Sequence, residues 1–308
     1  MKATTHTELY RPYEETLNPR PPVERILAVS GIKQGFRKKL HALGFFGPSV
    51  IVALIGCVVV HLSFTMGGMI GDDGPGNAGI QQVLGNVSEN IYRFLQVEQF
   101  FAFLTLAWYG SSLIADDRRL SANLLYFARP ITPLRYILGK FGTAGAFGLF
   151  TLLAPALLIC AQAAISSPDW VFLTDNYGVI VAVFGFCILW MLVMSSVILA
   201  ISSCFKRRSL ALVCSFIFLF LTSGISQVLA EGTDIANYNL LSLLHNLQAI
   251  SEWLFHEPNF LTNIMQESVA VDSGGGTETI DNFLALGAMT LLSWIILYRN
   301  VKRMEVIA

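Results

Sequence analysis

Six long apolar runs, each bounded by polar connections, divide the chain: residues 45–66, 99–115, 141–165, 177–205, 209–230 and 282–298. A helix that crosses a bilayer needs about 20 mostly apolar residues, with a working range of roughly 17–25. None of the six runs contains Asp, Glu, Lys or Arg. Backbone N–H and C=O groups in lipid have to be satisfied within their own segment, so the runs predict six transmembrane helices and an all-α membrane protein.

The polar connections alternate in sign. Lys and Arg number eight in residues 1–42, five in 116–140, three in 206–208 and three in 299–303. The intervening connections, 67–98, 166–176 and 231–281, together hold one basic residue, Arg93, and fourteen of the twenty-one acids. The basic side is cytoplasmic by the positive-inside rule, and an even number of crossings puts both termini there. The expected organisation is a cytoplasmic segment over 1–44, a six-helix transmembrane domain over 45–298 with an outer segment at 231–281, and a cytoplasmic tail over 299–308.

Composition agrees: 54% of residues are hydrophobic and 13% charged, against about 25% charged in soluble domains. The first 42 residues offer no apolar core followed by a small-residue cleavage site, so no cleaved signal peptide is expected. The bacterial cytoplasmic (inner) membrane is the expected location. Five cysteines lie in or beside apolar runs without C-x-x-C spacing; they read as small core hydrophobes, and no metal site is expected. Trp170, Tyr177 and Tyr298 suit interfacial anchoring, whereas Trp108 lies too deep in its run.

Two stretches outside the spans have helical periodicity. Over residues 23–43, Ile26, Val29, Ile32, Phe36, Leu40 and Leu43 recur at three- and four-residue intervals, with Arg25, Lys33, Arg37, Lys38 and Lys39 off that stripe. Pro21 and Pro22 suit a helix start. The pattern predicts an amphipathic interfacial helix against anionic lipid, with Ile26, Val29, Ile32, Phe36 and Leu40 facing the membrane and Arg37, Lys38 and Lys39 its headgroups. In the outer segment, Leu240, Leu243, Leu244, Leu247, Ile250 and Leu254 predict a second amphipathic helix, on the outer leaflet or capping the bundle.

The connection over 116–140 carries the most information. Asp116-Asp117-Arg118-Arg119 reads either as a solvated charge cluster or as an ion-pair network at the base of the second span. A short helix is expected from about Ser121 and ends by Pro130, because the residue before proline is pushed out of the α region. Leu124, Leu125 and Phe127 give it apolar knobs, and exposed knobs on a polar loop call for a partner.

Asp117-Arg118, Leu124-Leu125 and Pro130-Ile131-Thr132 through Gly139-Lys140, with the six spans, the amphipathic helix and the basic tail Lys302-Arg303, resemble the layout of the type-two ABC exporter permease family. The resemblance implies that Asp116, Asp117, Arg118, Arg119, Ser121, Leu124, Leu125, Phe127 and Pro130 form the coupling surface for an ABC ATPase subunit. It further implies two permeases, identical or homologous, paired with two ATPase subunits. Magnesium and ATP would sit on the ATPase and no cofactor on this chain.

Other chemistries find less support. There is no G-x-x-x-x-G-K-[ST] phosphate loop, so an ATPase would be a separate chain, and no enzyme activity is expected of this one alone. Ion-driven transporters carry ionisable groups inside their spans, and here His61 is the sole one expected. Gln99, Gln162 and Gln227 fall near outer span ends, where they line an exit or meet headgroups. Uncharged spans suit a hydrophobic or amphiphilic cargo and membrane lipid; nothing points to nucleic acid. A membrane scaffold recruiting a cytosolic partner is the alternative class, and an intramembrane enzyme a weaker one, since candidate catalytic groups are scattered.

Overall fold

The computed structural model describes residues 22–37, 39–66, 86–122, 126, 131–167, 171–233, 236–256 and 279–307. Among them every regular element is helical: α1 (Val23–Phe36), α2 (Lys39–Met66), α3 (Val87–Arg119), α4 (Pro133–Ser166), α5 (Val171–Asp175), α6 (Tyr177–Cys204), α7 (Arg208–Thr233), a 3₁₀ turn (Ala236–Leu241), α8 (Leu243–Phe255) and α9 (Thr279–Ile307). Each of the six apolar runs lies in a long helix, and most of the helices extend well past the run. Apolarity marks where a helix meets lipid, whereas the helix itself continues as far as its backbone bonds and neighbours hold it.

Five of these helices, α2, α4, α6, α7 and α9, are long and apolar enough to cross a membrane. The exception is α3, which has 33 residues and carries Glu89, Arg93 and Glu98 in its first half. Its polarity follows from its place: α2, α4, α6 and α7 all pack on it. A helix enclosed by protein can carry polar groups that a lipid-facing helix cannot.

Side-chain bonds fix the directions. Ser88 Oγ bonds Asn176 Oδ1 at 3.2 Å and Ser202 Oγ accepts from the Ile114 N–H at 3.4 Å, both joining residues 88 apart, so α3 and α6 run parallel in constant register. Between α2 and α3, Asn90 donates to Ser63 and Thr105 to the Phe45 carbonyl, an antiparallel pairing.

This register corrects one expectation. Glu98, placed by sequence on the outer connection, lies level with the fully buried Phe186 of α6. That is nine residues past the level of Tyr177, roughly 13 Å along the helix. Glu98 is 3% exposed. His61 is therefore not the sole ionisable group within the bundle; near the C-terminal end of α2, its Nδ1 meets Ser166 Oγ at 3.3 Å.

The first helix docks mainly by a face other than its apolar stripe. Ile26 and Val29 stay exposed, while Leu27 is buried, Phe36 stacks on Phe46 of α2 at 5.2 Å, and Gly31 and Gly35 meet Thr143 and Phe147 of α4. Small residues let two backbones approach closely, and a bond from Thr143 Oγ1 to the Ala28 carbonyl at 3.4 Å and the Arg135–Glu24 ion pair at 3.3 Å follow the same seam. Of the interfacial residues expected from sequence, Arg37 follows α1, Lys39 and Leu40 belong to the start of α2, and Lys38 lies outside the described residues.

In the outer segment, α8 caps the bundle: Leu243, Leu247 and Ile250 are buried against it, Ser251 bonds Tyr92 at 3.0 Å, and the Tyr92 and Phe255 rings stack at 4.9 Å. Ser242 caps its N-terminus by accepting from the His245 N–H. Cys160 and Cys187 are buried as expected, whereas Cys204 is exposed at the end of α6.

Candidate functional site at the foot of helix α3

The last turns of α3 gather the charged residues singled out in the sequence. Asp117 sits at the centre: Lys140 Nζ of α4 approaches its Oδ2 to 2.6 Å, and Tyr136 donates its hydroxyl to the same oxygen at 2.7 Å. Both ionic side chains are largely buried, at 11% for Lys140 and 16% for Asp117. Lys140 also lies 5.8 Å from the Tyr126 ring and 5.5 Å from that of Tyr136, so aromatic faces complete the shell around the cation. Burial and the Asp117 carboxylate together push the Tyr126 phenol above its ordinary range, keeping it a neutral donor.

Asp117 ends one side of the 120–132 connection and Tyr136 and Lys140 begin the other, so the three residues pin the loop at its base. Leu120 and Ser121 turn away from α3, and Ser121 takes the left-handed conformation at φ 54° that stops the helix. Ser121 is exposed. Leu124, Leu125, Phe127 and Pro130 lie outside the described residues, as does most of the expected short helix; Ala122 and Tyr126 are helical.

The neighbouring charges divide by partner. Arg118 donates to the Ser203 carbonyl at the end of α6, and Asn300 of α9 donates to Ser203 Oγ at 3.0 Å and Cys204 Sγ at 3.3 Å. Asp116, half-buried, and Arg119, exposed, form an i,i+3 pair at 3.5 Å, of a kind worth about 0.5 kcal/mol. Asp117 and Arg118 tie helices together, Asp116 sets its charge near Arg208 of α7, and Arg119 is solvated.

One turn earlier, Ser202 reaches into the backbone of α3. Its hydroxyl donates to the Ser111 carbonyl at 2.8 Å and accepts from the N–H groups of Ala115 at 3.2 Å and Ile114 at 3.4 Å. A side chain within the i→i−4 ladder marks a place where a helix bends. Gly110 is shaped around Ile198, since a Cβ there would meet its Cγ2 at 2.8 Å. Arg208 at the start of α7 donates to the Trp108 carbonyl at 3.3 Å and lies 4.1 Å from its ring. Trp108, too deep in its run for an interfacial anchor, is thus the seat of a cation.

Sequence reasoning placed Asp117, Arg118 and Lys140 in the motif but missed Tyr136, Ser202, Ser203, Asn300 and Arg208. Tyr136 lies 19 positions from Asp117 within the same connection; the other four are polar groups at the basic ends of apolar runs, and nothing in one chain pairs them across 85 to 100 positions. Among the described residues no group of His, Cys, Asp and Glu is arranged to hold a metal ion.

The family model described as ABC-2 family transporter protein matches residues 36–306. No curated protein matches the chain.

Proposed function

The chain belongs to the ABC-2 family of transporter proteins, and from that membership we propose that it is the permease subunit of an ATP-driven exporter for a hydrophobic or amphiphilic substrate. In this reading α3 is a sixth crossing shielded by its neighbours, both ends of the chain face the cytoplasm of a bacterial inner membrane, and two permeases pair. Each rests the 120–132 loop on a separate ABC ATPase that carries ATP and Mg.

The observation that supports it most is the way the loop is anchored. A force on the loop reaches α3 and α4 together through Asp117, Lys140 and Tyr136. It reaches α6 and α9 through Arg118, Ser203 and Asn300. Rigid attachment of a docking loop to several helices is what turns movement of an ATPase into rigid-body movement of a helix bundle.

The test reverses the charge of Arg118 and Arg119 together, or makes Leu124→Asp, in the complex with its ATPase. Insertion into the membrane should be unchanged and transport-stimulated ATP hydrolysis should fall at least tenfold. Hydrolysis at the wild-type level in correctly inserted variants would contradict the coupling assignment.

A further inference from the structure

The coupling site does not use Glu98. Neither carboxyl oxygen of Glu98 has a hydrogen-bond partner, although both are sealed from solvent. The side chain beside it is Ser49 of α2, itself 2% exposed. Ser49 has committed its hydrogen to the Thr151 carbonyl of α4 at 3.1 Å. Thr151, whose carbonyl Ser49 reaches, commits its own hydroxyl to the Phe147 carbonyl at 2.8 Å. Among the described residues, no charged side chain of α2, α3 or α4 acts on the carboxyl.

A carboxylate needs donors or a cation, and a buried one without either is among the most costly groups a protein can hold. A carboxylic acid needs an acceptor, and Ser49 Oγ keeps its lone pairs free for one. We infer that Glu98 is a proton-binding site within the membrane-embedded bundle, its acid hydrogen donated to Ser49 Oγ where α2, α3 and α4 meet. The site takes no larger cation: the described groups beside it supply one hydroxyl, far short of a metal's oxygen shell. Release of the proton requires α2 and α3 to part far enough to admit water, so the state of Glu98 reports whether that seam is open.

The test is infrared spectroscopy of the full-length protein in lipid nanodiscs, with glutamate carboxyls labelled by carbon-13. At pH 6, well above the ordinary glutamate range near about 4.3, one label-shifted carbonyl band of an undissociated acid should remain. It should vanish in Glu98→Gln and move to higher frequency in Ser49→Ala, which removes the acceptor but keeps the acid. Absence of any acid band in the labelled wild-type protein, with all glutamates absorbing as carboxylates, would overturn the inference whether or not either variant folds.

Discussion

Asp117 accepts from a cation and a phenol at once, and the two partners differ in what their loss does. Removing the carboxylate leaves Lys140 buried beside Tyr126 and Tyr136 with no counter-charge, a change that costs about 3–5 kcal/mol in comparable buried pairs. Removing the Tyr136 hydroxyl deletes one bond to a charged group and leaves the ion pair standing, a loss of about 1.5–3 kcal/mol. Asp117→Ala should therefore lower the thermal midpoint of the detergent-solubilised protein clearly more than Tyr136→Phe, and equal shifts would contradict the ion pair as the principal tie. A second residue-scale effect involves His245 in the capping helix, where burial holds the imidazole below its ordinary range near about 6.5. With its folded value depressed, His245 binds its proton more readily in the opened state. The cap is then fully stable above the ordinary histidine range and loses stability as pH falls through it toward the lower folded value. Hydrogen exchange over Leu243–Phe255 should quicken between pH 7 and 5 in excess of intrinsic exchange, and His245→Asn should remove that dependence.

At the level of the helices, glycine placement decides how α1 sits. A Cβ on Gly139 would come within 2.7 Å of Leu27 Cβ and 3.2 Å of the Glu24 carbonyl. Neither atom can rotate away, so α1 itself has to move. Gly139→Ala should loosen α1 by about 1–3 kcal/mol, as overpacking does elsewhere, and protease should reach the Val23–Phe36 segment sooner. Gly224 of α7 meets nothing within 4 Å; Gly224→Ala should be neutral or stabilise by up to about 1 kcal/mol. Equal behaviour of the two variants would show that α1 is not seated on α4 as described. The sequence pattern for α1 gives the helix and an apolar stripe, of which Ile26 and Val29 stay exposed, but not the docking face, which is made of Gly31 and Gly35. A small-residue face carries almost no hydropathy signal, and what it packs against is invisible in one dimension.

For the whole molecule, hydropathy locates every long helix because lipid leaves so few alternatives for an apolar run of that length. It understates the length of α3. The apolar run from Gln99 to Ala115 is short because the rest of the helix is enclosed, and Glu98, just outside the run, becomes buried once α2 and α4 close over it. The candidate coupling site was legible in its charges and its loop, through Asp117, Arg118 and Lys140, but not in Ser202, Ser203 and Asn300. These join helices far apart in sequence and look like ordinary residues at span ends.

The partner that meets the 120–132 loop decides the function. The direct measurement places a photo-crosslinking amino acid at Phe127 of the tagged full-length chain, illuminates intact cells and identifies the adduct by mass spectrometry. The expected result is a one-to-one adduct with a nucleotide-binding ABC subunit that also accompanies the unmodified chain through purification. A chain that purifies without any such subunit, and crosslinks at Phe127 to none, would contradict it.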